Sequence, residues 1–224
     1  MNKKKIFIAI DTNKISRAKR IIKDTQTNKI KIGYKFGLEF FYSMEGRKFI
    51  SRLKDQTIFL DLKLNDIPNT VVSAVKSLKN LKISYLTVHL SSGMSALKAL
   101  RKVSKNIKIA GVTTLTSLNN KDLKEVGYNK KVNELVKHQV KLAKRAKLDA
   151  IVCSGHEIRS VKRVFKKEII TPGIKIHNTK NDQKRFMRPT DAFAAGSNWL
   201  VIGRSITNGN IKKNIKNLLE ILED

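Results

Sequence analysis

Asp61, Lys63 and Asp66 fall within one short stretch, Phe59-Leu60-Asp61-Leu62-Lys63-Leu64-Asn65-Asp66. If the stretch is extended, its period of two puts Phe59, Asp61 and Lys63 on one face and Leu60, Leu62 and Leu64 on the other. A lysine between two carboxylates is favoured in its charged form, because both neighbours stabilise the ammonium. Such a group hands a proton to a reacting atom and does not attack as an amine. On a solvated edge strand the same residues would do no chemistry, so the assignment requires a strand with neighbours on both sides. Pro68 stops a helix from running back into this stretch, and Asn69 or Thr70 can cap the helix that follows.

The rest of the chain supplies those neighbours. Short apolar, β-branched runs alternate with helical patterns throughout. The runs 5–10, 30–33, 57–64, 85–90, 107–113, 150–153, 168–171 and 199–202 read as strands. Helical patterns follow at 16–24, 38–53, 70–81, 93–103, 132–147, 156–165, 190–195 and 211–222. The strands are continuously apolar, as strands buried on both faces are, and their alternation with helices implies a parallel sheet. Eight such units predict a single (β/α)8 barrel over residues 1–224, with an open doubly wound sheet as the alternative. In a barrel, chemistry belongs at the carboxyl ends of the strands. Asp11 ends the first run and Lys31 is read as ending the second, so an array of Asp11, Lys31, Asp61, Lys63 and Asp66 is expected at one mouth.

Composition narrows the function classes. The 224 residues are 41% hydrophobic, enough for a sizeable core. The single cysteine, Cys153, cannot form an internal disulfide and reads as a core residue. No apolar run approaches the ~18 residues of a membrane helix, and Ile6–Ile10 is too short for a signal peptide, so a cytoplasmic protein is expected. The net charge of +29 suggests a polyanionic partner. Both halves of the chain are basic, however, and aromatics are only 6%, without a stacking motif among the lysines. Nucleic acid is therefore not expected as the partner. The four histidines have no metal-ligand spacing, and no glycine-rich dinucleotide or phosphate loop is present.

Asp61-Leu62-Lys63-Leu64-Asn65-Asp66-Ile67-Pro68-Asn69-Thr70 closely resembles the D-x-K-x-x-D-I-P-N-T segment of the orotidine 5′-phosphate decarboxylase family. The resemblance continues through Ala9-Ile10-Asp11, Lys31-Ile32-Gly33, Val88-His89, Leu115-Thr116-Ser117 and Val152-Cys153-Ser154 to Thr171-Pro172-Gly173-Ile174 and Val201-Ile202-Gly203-Arg204. It implies a homodimeric barrel with shared active sites that converts orotidine 5′-phosphate to uridine 5′-phosphate, with no metal or cofactor. By the same resemblance Lys63 protonates C6 of the pyrimidine, Asp61 lies beside the substrate carboxylate, and Lys31 links Asp61 to the ribose. Asp66 and Thr70 reach into the partner's site, Asp11 contacts the ribose, and Thr116 contacts the base. Gln183, Gly203 and Arg204 grip the phosphate, and Lys175 stands where many members carry arginine. A lysine there is a point charge without the bidentate fork.

Barrel geometry leads independently to the phosphate end. Anion sites often form from the loops after strands seven and eight, where Gly173, Gly203 and Arg204 stand. The polar segment 175–188 between them is expected to act as a lid. A related sugar-phosphate decarboxylase, which shares the D-x-K-x-x-D core and requires magnesium, is the rival; it resembles this chain less at Ile67-Pro68-Asn69-Thr70.

Overall fold

The structure is a computed structural model that describes residues 3–176 and 187–223. Its strands are β1 (Lys5–Ile10), β2 (Lys31–Gly37), β3 (Thr57–Leu64), β4 (Tyr85–His89), β5 (Lys108–Val112), β6 (Ala150–Val152), β7 (Glu168–Thr171) and β8 (Trp199–Ile202). All pair in parallel with their sequence neighbours, and β1 also pairs with β8 (Ile6 opposite Leu200), which closes the barrel. The helices are α1 (Ile15–Asp24), α2 (Leu38–Phe41), α3 (Gly46–Ser51), α4 (Pro68–Ser77), α5 (Gly93–Val103), α6 (Asn120–Glu125), α7 (Val132–Arg145), α8 (Ile158–Val164), α9 (Pro189–Ala194), α10 (Arg204–Thr207) and α11 (Ile211–Glu223). Among the described residues no helix is long and apolar enough to cross a membrane.

Alternate residues of each strand face two different cores. Outward residues such as Ile6, Ile8, Tyr34, Phe36, Leu60 and Leu86 pack under the helices. Inward residues, Phe7, Ala9, Phe59, Tyr85, Ala110, Ala150, Ile170, Trp199 and Val201, fill the barrel itself. Bulky and small side chains share this interior, as a tapering barrel requires. The Phe7 ring stacks on Trp199 with centroids 4.0 Å apart, and Gly33 makes that possible. A Cβ on Gly33 would meet Phe7 Cε1 at 2.6 Å and the Thr57 carbonyl oxygen at 2.7 Å. Toward the amino end, Trp199 Nε1 donates to the Tyr85 hydroxyl (3.1 Å), which donates to Glu168 Oε2 (2.8 Å). Burial and the Glu168 carboxylate push the Tyr85 phenol well above its ordinary range, so it stays a donor.

Among the elements that differ from the sequence reading are β2, the first helices after it, α6 and the short α10. Strand β2 runs on through Gly37, because Gly33 is an interior position and Tyr34 and Phe36 continue the buried outward face. The helix expected over 38–53 is two helices, α2 and α3. The chain folds back so tightly that a Cβ on Gly46 would lie 1.7 Å from the Phe40 carbonyl oxygen. Helix α6 was not anticipated; Asn119 and Asp122 form a reciprocal capping box at its start.

Gly33→Ala should therefore destabilise the barrel by about 1–3 kcal/mol through overpacking. Phe7→Ala should cost about 3–5 kcal/mol through the cavity it leaves. Urea unfolding midpoints measure both, and a Gly33→Ala midpoint equal to wild type would refute the packing role given to that glycine.

Candidate active site

Four charged side chains alternate in sign across the carboxyl ends of β1, β2 and β3. Asp11 follows β1 directly, Lys35 lies near the end of β2, and Asp61 and Lys63 lie on β3. Lys35 Nζ stands 3.2 Å from Asp11 Oδ1 and 3.7 Å from Asp61 Oδ2. Lys63 Nζ donates to the same Asp61 oxygen at 2.9 Å. The strand register explains the convergence: Ala9 pairs with Lys35, and Gly37 pairs with Asp61. The side chains of Lys35 and Asp61 are only 12% and 16% exposed, whereas Lys63 is 33% and Asp11 57%. The middle of the array is thus sheltered while its two ends face the opening. A neutralised but sheltered array of this kind can present one ammonium to a bound molecule without reorganising.

Lys63 is held by an irregularity in β3. Pairing with β4 runs Phe59 to Tyr85 and Leu60 to Leu86, then resumes at Leu64 opposite Val88, so the register slips across Asp61–Lys63. Lys63 adopts φ 47°, a left-handed conformation costing on the order of 1–3 kcal/mol for a side-chain-bearing residue. Bulges of this sort re-aim a side chain beside a site. The Lys63 backbone N–H, displaced from the ladder, donates to Thr87 Oγ1 at 2.7 Å. Thr87 Oγ1 in turn donates to Asp61 Oδ1 at 3.2 Å. Thr87 is fully buried. Sequence reasoning missed it, although a lone threonine inside the apolar run Tyr85–Leu90 is the signal that could have found it.

The surroundings are polar but ordered. Burial pushes the half-buried His89 imidazole below its ordinary range, the Lys63 charge adds to this, and Asp61 opposes it; a neutral ring results at pH 7. Ser92 Oγ donates to Asn65 Oδ1 at 2.9 Å, tying the loop after β3 to the turn after β4. Asp66, one residue further, is exposed, and its Oδ1 accepts the Ile67 N–H at 2.7 Å. Asp66 is absent from the Asp61–Lys63 contacts of its own chain.

Of the residues expected at the site, Lys31 is a correction. It is the first residue of β2, exposed, and paired with Lys5 at the amino end of the barrel. Lys35 shares its face of the strand four residues later, about 13 Å further toward the mouth at the usual rise. The sequence reading stopped the strand at Gly33 and so put Lys31 at its carboxyl end, where the structure has Lys35. Thr70 lies exposed in the first turn of α4, and Thr116 lies exposed in the loop after β5. Gly203 joins β8 to α10, and a Cβ there would sit 3.5 Å from both Ala9 Cβ and Asp11 Oδ2. Arg204 follows, exposed. Lys175 N donates to the Met187 carbonyl at 3.3 Å, beside a bridge between Ile174 and Met187. Gln183, and most of the expected lid at 175–188, lie outside the described residues. Burial raises the Cys153 thiol well above its ordinary range, which agrees with a core role.

Residues 4–215 match the model of the Orotidine 5′-phosphate decarboxylase / HUMPS family. The orotidine 5′-phosphate decarboxylase of Ehrlichia chaffeensis is 40% identical over 209 residues, 90% of this chain and 89% of that one. That of Wolbachia sp. subsp. Brugia malayi is 39% identical over 221 residues, 96% of each chain. The crystal structure of orotidine 5′-phosphate decarboxylase from Lactobacillus acidophilus superposes with a TM-score of 0.84 at 27% identity, covering 99% of this chain and 100% of that one. A match over nearly the whole length, with a barrel whose mouth carries the family's D-x-K-x-x-D charges, leaves one assignment: the chain belongs to the orotidine 5′-phosphate decarboxylase / HUMPS family.

Proposed function

We propose that this chain decarboxylates orotidine 5′-phosphate to uridine 5′-phosphate in pyrimidine biosynthesis, without metal or cofactor, and that Lys63 supplies the proton. The family and the relatives at about 40% identity support the activity. The observation that carries the mechanism is the alternating chain Asp11–Lys35–Asp61–Lys63, sheltered at Lys35 and Asp61. In the reaction the bond between C6 and the carboxylate carbon breaks, carbon dioxide departs, and the electron pair stays on C6. The Lys63 ammonium gives its proton to C6 and is left as a neutral amine, which solvent reprotonates. A charge pair at ~4 Å and an effective dielectric near 20 is worth about 4 kcal/mol. Enzymes commonly lower barriers by roughly 8–23 kcal/mol, so binding energy from the remote phosphate must contribute too. Asp61 fixes the Lys63 ammonium and lies beside the substrate carboxylate. Lys35, rather than Lys31, links Asp61 to Asp11 and the ribose. Thr116 meets the base. The phosphate is taken by Gly203 and Arg204 after β8, by Lys175 after β7 and by Gln183.

The working unit in this reading is a homodimer. Asp66 and Thr70 are exposed, and Ile67 between them is 66% exposed. Leu38, Tyr42, Met44 and Leu115, also exposed, follow the carboxyl ends of β2 and β5. Apolar groups gathered at one end of a barrel favour its burial against a second copy. Asp66 then enters the neighbouring site, which accounts for its separation from Lys63 in its own chain.

Three experiments test this reading. Loss of orotidine 5′-phosphate absorbance should proceed undiminished in EDTA; activity that dies with chelator and returns with magnesium would favour the sugar-phosphate branch of the family. Lys35→Ala should lower kcat/KM by at least about 100-fold, while Lys31→Ala should stay within about twofold of wild type. The reverse pattern would restore Lys31 to the site. Finally, Lys63→Ala and Asp66→Asn, each nearly inactive alone, should recover activity when their subunits are exchanged, because one site of every hybrid receives an intact residue from each chain. Lys63→Ala mixed with Asp61→Asn should recover none. A dead first mixture, with hybrids confirmed by mass, would mean that Asp66 works within its own chain.

A further inference from the structure

We infer that Thr87 is a positioning residue that sets the aim of Lys63, an inference that rests on the proton-donor reading of Lys63. A hydroxyl has one proton and two lone pairs. Thr87 Oγ1 accepts the Lys63 N–H at 2.7 Å, so its own proton is free to go to Asp61 Oδ1 at 3.2 Å. Asp61 spends its other oxygen, Oδ2, on Lys63 Nζ at 2.9 Å. One buried hydroxyl therefore governs both ends of Lys63: directly at the backbone, and through Asp61 at the ammonium.

The backbone end matters because of where it falls. The β3–β4 register slips between Leu60 and Leu64, and Lys63 sits in the slip with φ 47°. The ladder offers its N–H no carbonyl there, and Thr87 Oγ1 takes the carbonyl's place. Thr87 has no exposed surface, so water cannot easily stand in for the hydroxyl. Without it, the left-handed conformation loses its hydrogen bond and Asp61 loses the donor that fixes its plane. The ammonium would then point less sharply at C6. A displacement of about 1 Å at a reacting group can cost about 100-fold in rate.

Substrate anchoring lies on other strands, so the loss belongs in turnover rather than binding. Thr87→Val keeps the shape and removes the hydroxyl. It should lower kcat about 10- to 100-fold with KM within about twofold of wild type. Thr87→Ser, which restores the hydroxyl, should return kcat to within about threefold. A merely structural threonine would lower the melting temperature and leave the kcat of the folded enzyme alone. A Thr87→Val enzyme with wild-type kcat, or one in which only KM rises, overturns the inference. Amide hydrogen exchange at Lys63, followed by NMR, reads the backbone link without any assay of activity. Exchange should accelerate at least about tenfold in Thr87→Val and not in Thr87→Ser, and equal rates in all three proteins overturn the inference. Should wild type fail to decarboxylate orotidine 5′-phosphate, the proposed function falls, and the exchange rates still decide whether Thr87 holds Lys63. If Thr87→Val does not fold, Thr87→Ala takes its place in both measurements.

Discussion

The Asp61 carboxylate is the point on which the mouth of this barrel depends. Its two oxygens take Lys63 at 2.9 Å, Lys35 at 3.7 Å and the Thr87 hydroxyl at 3.2 Å, from three adjacent strands. A carboxylate sheltered to this degree is tolerable only when cations and donors surround it. Each partner is in turn constrained elsewhere: Lys35 by Asp11, Lys63 by its backbone, Thr87 by complete burial. The charges are therefore in place before any substrate arrives, which is the condition under which electrostatic stabilisation costs no reorganisation.

That arrangement needs a barrel whose strands meet in a fixed register, and the interior packing supplies it. Phe7 and Trp199 stack across the closure between β1 and β8, and Gly33 leaves the room they occupy. Because Phe7 pairs with Gly33 and Ala9 with Lys35 in the same ladder, the packing that seats the aromatic ring also sets the height of the lysine. Precision at the mouth is inherited from the core beneath it. Among the described residues the one departure from regular strand pairing, the slip in β3, falls at Lys63.

Much of this was legible in the sequence. Alternating apolar strands and helical patterns are sufficient for an eight-unit parallel barrel, and Asp61 and Lys63 stand out because charges interrupt a strand that should be buried. The misreading of Lys31 came from treating Gly33 as punctuation. Glycine often ends a strand, but here it marks a close approach of the Phe7 ring, a contact between residues 26 positions apart in the chain that local pattern does not contain. Thr87 was overlooked for a similar reason. Its role depends on a register slip between two strands, which periodicity within either one cannot reveal. Helix α6, by contrast, carried a readable signal in Asn119 and Asp122, three residues apart at its start.

The aromatic floor of the barrel has a consequence for traffic. Phe7, Phe59, Tyr85 and Trp199 are each at most 4% exposed, and the Trp199–Tyr85–Glu168 hydrogen bonds stitch the amino end shut. Among the described residues this packing leaves the amino end of the barrel closed, and the charged side chains of the candidate site stand at the opposite end. A nucleotide, the gas it releases and the nucleotide that remains must all pass the same threshold between the loops that follow the strands. Whatever narrows that threshold to exclude water also detains the products, so tightness of enclosure and speed of departure are traded against each other at one doorway.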